Sequence, residues 1–330
     1  MQFTDIKGQE NAITLLKCAL ENHHIAHAYI FYGPDGVGKR KTALALAQYL
    51  NCPSKDEATL SSCDRCPSCS QANSNSHPDI IQVEPDGASI RIEQIRKLLA
   101  RVALRSYESP YKVVIIDDAH LMTQESSNCL LKTLEEPTDN TVFILIASQI
   151  QKLPITILSR CQQVRFSPLS SSLMQEILSE LYPQWQSRIG LVSVLAQGSL
   201  DKAAALLTNE ELSSARTDCY LFLLDLKEKH PSDIINWCAQ WDKNKKMVQL
   251  ILELFQFWYR DLLLINSSVP VTLCINQDYI ADLQKQKTDP SQLLNILQYI
   301  QSAIIQLGAN ASPKLVLEIV LLKTQAELCR

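Results

Sequence analysis

The sequence has no excess of basic charge: 31 Lys and Arg stand against 35 Asp and Glu, for a formal net charge of -4 and a pI near 5.9. A global positive field that pulls a chain onto nucleic acid is therefore absent, and any meeting with DNA is expected to be weak or shared with other proteins. Long apolar runs are lacking too. Stretches such as FILIA and LLLIN end well short of the roughly 18–20 residues that cross a bilayer, and the opening MQFTDIKGQE has neither a basic n-region nor an apolar h-region. A cytoplasmic protein with no membrane partner is expected. There is no repeat at a solenoid period and no low-complexity tract. A disulfide framework is excluded as well, because the 11 cysteines are odd in number, spread over 330 residues, and include three in one tight cluster. That usage suits reduced thiols and one metal site.

What is present is apolar material for real cores, with 46% of the residues hydrophobic and a length that suits two or three domains of roughly 100–200 residues. The first half alternates apolar runs with helical patterns, the appearance of a parallel sheet covered on both faces. Strands are predicted over Ala28–Tyr32, Asp79–Val83, Lys112–Asp117, Thr141–Ser148 and Gln162–Phe166, and helices over Gln9–Glu21, Arg40–Leu50, Arg91–Leu104, Thr123–Glu136 and Ile155–Ser159. This α/β region spans residues 1–166. A small helical region (167–208) and a larger helical one (209–330) follow, the latter broken at Pro231, Pro270, Pro290 and Pro313.

Four constellations carry chemistry. Gly33-Pro34-Asp35-Gly36-Val37-Gly38-Lys39 follows a strand and opens a helix, the context in which Gly33, Gly36 and Gly38 turn backbone N–H groups toward a phosphate and Lys39 reaches the β/γ-phosphates of ATP or ADP. The plainer reading is a glycine turn. The next position should be Ser or Thr to ligate Mg²⁺, but it is Arg40, and Thr42 comes two places too late. Second, KVVIIDD ends an apolar strand in Asp117 and Asp118; Asp117 suits the metal side of a phosphate site, Asp118 is one methylene short of a water-positioning glutamate, and both could simply cap a helix. Third, Cys63, Cys66 and Cys69 at two CxxC spacings, with Cys52 upstream, supply four thiolates for a closed, structural Zn²⁺ in a module over about 52–69. His77 is a substitute ligand; free thiols or a redox pair compete, and Pro67 argues against a plain helix there. The single Cys18, Cys129, Cys219, Cys238, Cys274 and Cys329 read as core fillers. Fourth, Ser159-Arg160-Cys161 precedes the last strand, where a lone arginine is ordinarily a solvated surface group.

Taken together, Ile6-Lys7-Gly8-Gln9, HAYIFYGPDGVGK, the four cysteines, VVIIDDAHLMTQESSNCLLKTLEEP and QKLPITILSRCQQVRF resemble the AAA+ subunits of the bacterial replicative clamp loader. The resemblance covers the whole chain and implies an AAA+ P-loop domain, a helical lid domain and a helical collar domain. Arg40, Asp118 and Asp201, which stands where the motor subunit has a γ-phosphate-sensing arginine, depart from the motor pattern toward its delta prime relative. For such a subunit the resemblance implies little or no ATPase of its own, partners in motor (gamma/tau) and delta subunits of a hetero-pentamer, action on a sliding clamp and primed DNA through that complex, and Arg160 as a finger reaching a neighbour's ATP. Two other readings compete: an active motor-type ATPase, and a P-loop kinase or nucleotide transferase. A zinc-dependent nucleic-acid binder is disfavoured by the acidic pI and by a knuckle with only Lys55 and Arg65 nearby.

Overall fold

The computed structural model describes residues 2–104, 109–242, 244–309 and 311–329; Met1 and Arg330, the outer ends of the regions read from sequence, lie outside it. Five parallel strands, β1 (Ala28–Tyr32), β2 (Ile80–Val83), β3 (Lys112–Ile116), β4 (Thr141–Ala147) and β5 (Gln162–Arg165), pair in the order β2-β3-β4-β1-β5. Every residue of β3 and β4 is buried, as a sheet covered on both faces requires. The period of two assigns the faces. Tyr29, Phe31, Val113, Ile115, Val142, Ile144 and Ile146 point to one core, packed under α1 (Glu10–Glu21) and α2 (Lys39–Asn51). Ile30, Val114, Ile116, Phe143 and Leu145 point to the other, under α4 (Ile92–Val102), α5 (Gln124–Glu135) and α6 (Ile155–Leu158), α3 (Pro67–Asn73) having intervened between α2 and β2.

The predicted strands stand, most of them shorter by the polar or terminal residue at one end. Between α2 and β2 stands a helix that the sequence pattern does not predict, α3. Pro67 argues against a plain helix, yet it is the first residue of α3, where its missing N–H has no intrahelical partner to lose, and the Cys66 side chain caps the turn by accepting from the Cys69 N–H. The single cysteines do not all fill cores either: Cys219, Cys238 and Cys274 are buried, whereas Cys18 and Cys329 are exposed, on the polar side or frayed end of their helices.

By contacts the chain divides into two units, Met1–Leu181 with Ala196–Lys202, and Tyr182–Leu195 with Ala203–Arg330. The first holds the sheet and α7 (Ser171–Leu181). The second holds α8 (Gln186–Leu195), most of α9 (Leu200–Thr208), α10 (Glu210–Leu224), α11 (Pro231–Ala239), α12 (Lys245–Asn266), α13 (Ile280–Leu283), α14 (Pro290–Gly308) and α15 (Pro313–Leu328). Its axis is α12, whose Phe255, Trp258 and Tyr259 are almost wholly buried and which packs on α14. Asp261, fully buried, is held by the Ile275 and Asn276 N–H groups at 3.0 and 2.7 Å and by Arg260 at 3.0 Å, so its charge is paired rather than stranded. Among the described residues no helix is long and apolar enough to cross a membrane.

Candidate functional site

The glycine loop leaves the carboxyl end of β1 and enters α2 at Gly38. Two glycines are required by close approach. A Cβ on Gly33 (φ +148°) would lie 2.2 Å from the Phe166 carbonyl oxygen, and one on Gly36 (φ +70°) 2.6 Å from the Asp201 nitrogen, so both positions exclude any larger residue. A cavity of about 630 Å³ opens beside this loop, lined by six acids (Asp5, Asp35, Asp117, Asp118, Glu180, Asp201) and four bases (Lys7, Lys39, Arg40, Lys41). Acids outnumber bases, so a bare polyphosphate is not favoured by the net local charge. Lys39, 5% exposed, folds back on the loop: its Nζ donates to the Gly33 and Pro34 carbonyls at 2.6 and 2.5 Å and lies 3.3 Å from Asp35 Oδ1. Burial lowers its pKa, an effect that Asp35, Asp118 and Asp117 oppose.

Arg40 does not point to solvent. Its Nη1 donates to Asp117 Oδ2 at 2.9 Å, and its Nη2 donates to Gln82 Oε1 at 3.0 Å and pairs with Glu84. Asp117 Oδ1 accepts from the Asp118 N–H at 3.1 Å, so both carboxylate oxygens are engaged. Mg²⁺ therefore does not fit the residues present: the acid at the end of β3 already serves a guanidinium, and Thr42, the first hydroxyl along α2, is fully buried and donates to the Gly38 carbonyl at 2.9 Å. Asp118 takes a left-handed φ of 45°. Burial, then the Asp117 charge, raises its carboxyl pKa, while burial lowers that of His120. His120 Nδ1 lies 3.9 Å from Asp118 and its Nε2 3.3 Å from Ser148 Oγ, just past β4. Sequence reasoning missed Ser148, Gln82 and Glu84, although their places at strand carboxyl ends are a usable signal.

The four cysteines do converge. The Sγ atoms of Cys52, Cys63, Cys66 and Cys69 all lie within 4.8 Å of one another, with Cys63 and Cys69 at 3.9 Å. Tetrahedral Zn–S bonds near 2.3 Å put sulfurs about 3.8 Å apart, so these residues fit the ion. Cys52 caps the end of α2, and Cys66 and Cys69 belong to the first turn of α3. N–H groups of Arg65 and Cys66 pull the Cys63 thiol down to about 6, whereas burial pushes Cys66 up to about 12; a bound cation would override such differences. His77 is not a fifth candidate. Its Nε2 meets Ser68 Oγ at 3.0 Å and its Nδ1 accepts from the Asp79 N–H at 3.1 Å, because the chain from α3 to β2 turns the ring onto that strand's start.

Arg160 lies in the short connection, residues 159–161, between α6 and β5. Its Nη1 donates to the Thr156 carbonyl at 2.9 Å, and its Nη2 pairs with Glu135 Oε1 at 2.5 Å, the last residue of α5. Because β5 runs parallel to β1, Arg160 stands at the amino end of the sheet and the glycine loop at its carboxyl end. The five residues of β1 separate them, about 16 Å at 3.3 Å per residue. Gly33, Gly36, Gly38, Lys39 and Asp117 are thus brought together, and Arg160 is not brought to them.

A sequence profile of the family described as DNA polymerase III, delta subunit, matches residues 8–170. The DNA polymerase III subunit delta' of Bacillus subtilis is 30% identical over 299 residues, which cover 88% of this chain and 89% of that protein. The tau subunit of Escherichia coli is 37% identical over 218 residues, 64% of this chain but 33% of that protein; the chain spans about a third of the length of such tau relatives. Among solved structures, a DNA polymerase III gamma subunit-related protein from Thermotoga maritima superposes with a TM-score of 0.48 at 18% identity, over 96% of this chain and 99% of that one.

Proposed function

The chain belongs to the DNA polymerase III family of clamp-loader subunits, and from that premise we propose that it is the delta-prime-type member: it hydrolyses little or no ATP itself, helps load a sliding clamp onto primed DNA, and lends Arg160 to the ATP site of a neighbouring motor subunit. One observation carries this reading. At the chain's own glycine loop Lys39 is bonded to the loop carbonyls and Arg40 to Asp117, while Arg160 stands a sheet's length away from that loop. A guanidinium supplied from outside stabilises charge that develops on a transferring phosphoryl group, so a subunit that hydrolyses little ATP itself can still control hydrolysis next door.

In this reading the partners are motor (gamma/tau) and delta subunits in a cytoplasmic hetero-pentamer, with residues 1–166 as the AAA+ P-loop domain, 167–208 as lid and 209–330 as collar. Cys52, Cys63, Cys66 and Cys69 hold one structural Zn²⁺, which ties α2 to α3 and leaves no open coordination position for chemistry. Gly33, Gly36, Gly38 and Lys39 retain a cradle for ATP or ADP, weakened by the acidic lining. The similarity to tau subunits keeps a motor-type ATPase as the competing assignment, and the occupied Asp117 weighs against it.

Reconstitution tests the proposal. Motor and delta subunits with clamp and primed DNA should hydrolyse ATP and load clamps fully only when this chain is added. The chain alone should show no Mg²⁺-dependent turnover near ~1 s⁻¹, the low end of ordinary enzymes. Turnover at or above that rate, abolished by Lys39→Ala, overturns the assignment in favour of a motor.

A further inference from the structure

The place between the first turn of α2 and the end of β3 is filled by a side chain of the protein itself. Arg40 is the second residue of α2. Its planar fork receives Asp117 Oδ2 on one nitrogen and Gln82 Oε1 and Glu84 on the other, so three acceptors from the ends of β2 and β3 converge on one cation. We propose that the Arg40 guanidinium is the resident cation of this site, holding the position a divalent ion would need and keeping that ion out.

The physical case has three parts. A guanidinium offers donors in a fixed fork and no acceptor, so it satisfies carboxylates but never ligates a metal. Mg²⁺ demands near-octahedral oxygen ligands at 2.0–2.1 Å, yet one Asp117 oxygen is engaged by Arg40 and the other by the Asp118 N–H. Finally, a second full charge of the same sign beside the arginine would be repelled in a half-buried setting. The consequence is specific: any nucleotide held by this loop gains nothing from Mg²⁺, and removing Arg40 opens a divalent site that uses Asp117. The inference rests on reading Gly33–Lys39 as a phosphate cradle and is independent of where Arg160 acts.

The experiment measures ADP and ATP affinity of the full chain by calorimetry in excess Mg²⁺ and in excess EDTA, for wild type, Arg40→Thr, Arg40→Lys and the double variant Arg40→Thr/Asp117→Asn. Wild type and R40K should differ by less than about threefold between the two conditions, or bind in neither. R40T should bind at least about tenfold tighter with Mg²⁺, and the added D117N should erase that gain. As a readout that needs no nucleotide, Mn²⁺ alone should give a bound-ion EPR signal with R40T, absent from wild type and from the double variant. A wild type that binds nucleotide tenfold tighter with Mg²⁺, or takes up Mn²⁺ at Asp117, overturns the proposal. So does an R40T chain that folds, by circular dichroism, and gains neither Mg²⁺ dependence nor Mn²⁺. No neighbouring subunit is present in these measurements, so their failure leaves the trans role of Arg160 standing, and failure of that role leaves these results unchanged.

Discussion

The two ends of the same sheet differ in a way that inverts their prominence in the sequence. At the carboxyl end lies the strongest motif of the chain, Gly33–Lys39, yet there Lys39 is bonded to its own loop and Arg40 to Asp117. At the amino end lies Arg160, in a short Ser-Arg-Cys run whose meaning comes only from resemblance; it is held by a helix carbonyl and one half-exposed carboxylate. The difference teaches what a glycine motif records. Gly33 is needed by its approach to Phe166 and Gly36 by its approach to Asp201, so packing alone requires these glycines, whatever the loop does with phosphate.

The comparison breaks first, and with the largest effect, at Arg160. In a reconstituted loader Arg160→Ala should leave assembly intact and slow hydrolysis at the site it serves by about 10³ or more, whereas Lys39→Ala should change clamp-stimulated ATPase by no more than about threefold. Arg160→Lys should rescue poorly, because an ammonium lacks the planar fork that bridges two phosphate oxygens. Steady-state ATPase with clamp and primed DNA reads the outcome. Equal rates for R160A and unmodified loaders would return Arg160 to an ordinary surface group.

The next effect is on stability and sharpens the same contrast. Pure protein prepared without chelators should contain close to one zinc per chain, and Cys63→Ser should lower unfolding stability by about 2 kcal/mol or more, since binding free energy at a structural site is folding free energy. Clearly less than one zinc would remove the metal assignment. Because Cys52 ends the helix that begins at Lys39, zinc loss should speed amide exchange in α2 and α3 and spare α5, α6 and β5. Exchange that rises equally at both ends of the sheet would contradict the separation.

Much of this is legible in the amino-acid pattern. The apolar runs KVVII and TVFILIA are buried on both faces, and a continuous run permits little else in a covered parallel sheet. Cys52, Cys63, Cys66 and Cys69 were legible from spacing alone, because two CxxC turns and one helix end can meet at one point. What escaped was long-range pairing. Arg40 and Asp117 are 77 positions apart, and only the register that sets Val83 beside Ile116 brings Gln82 and Glu84 to the same guanidinium. In the helical unit, Pro231, Pro290 and Pro313 separate helices as expected, and each does so as the opening residue of α11, α14 or α15, where its fixed φ is already helical.

The smallest effect concerns Glu135. It lies in LLKTLEEP, ends α5 before Pro137 stops the helix, and pairs with Arg160 while 49% exposed. An exposed pair of this kind contributes at most about 1 kcal/mol, and on the proposed trans role Arg160 would have to leave it before its guanidinium could face a neighbour's phosphates. Glu135→Gln keeps the size of the side chain and removes the charge. Folding stability should fall by no more than about 1 kcal/mol, and the clamp-stimulated ATPase of the reconstituted loader should rise, by at most about fivefold, because the same free energy no longer holds the arginine back. Assembly should be unchanged. A tenfold fall in rate with normal assembly would mean the opposite relation, in which Glu135 aims Arg160 across the interface instead of parking it, and the amino end of the sheet would then be as tightly organised by its own residues as the carboxyl end.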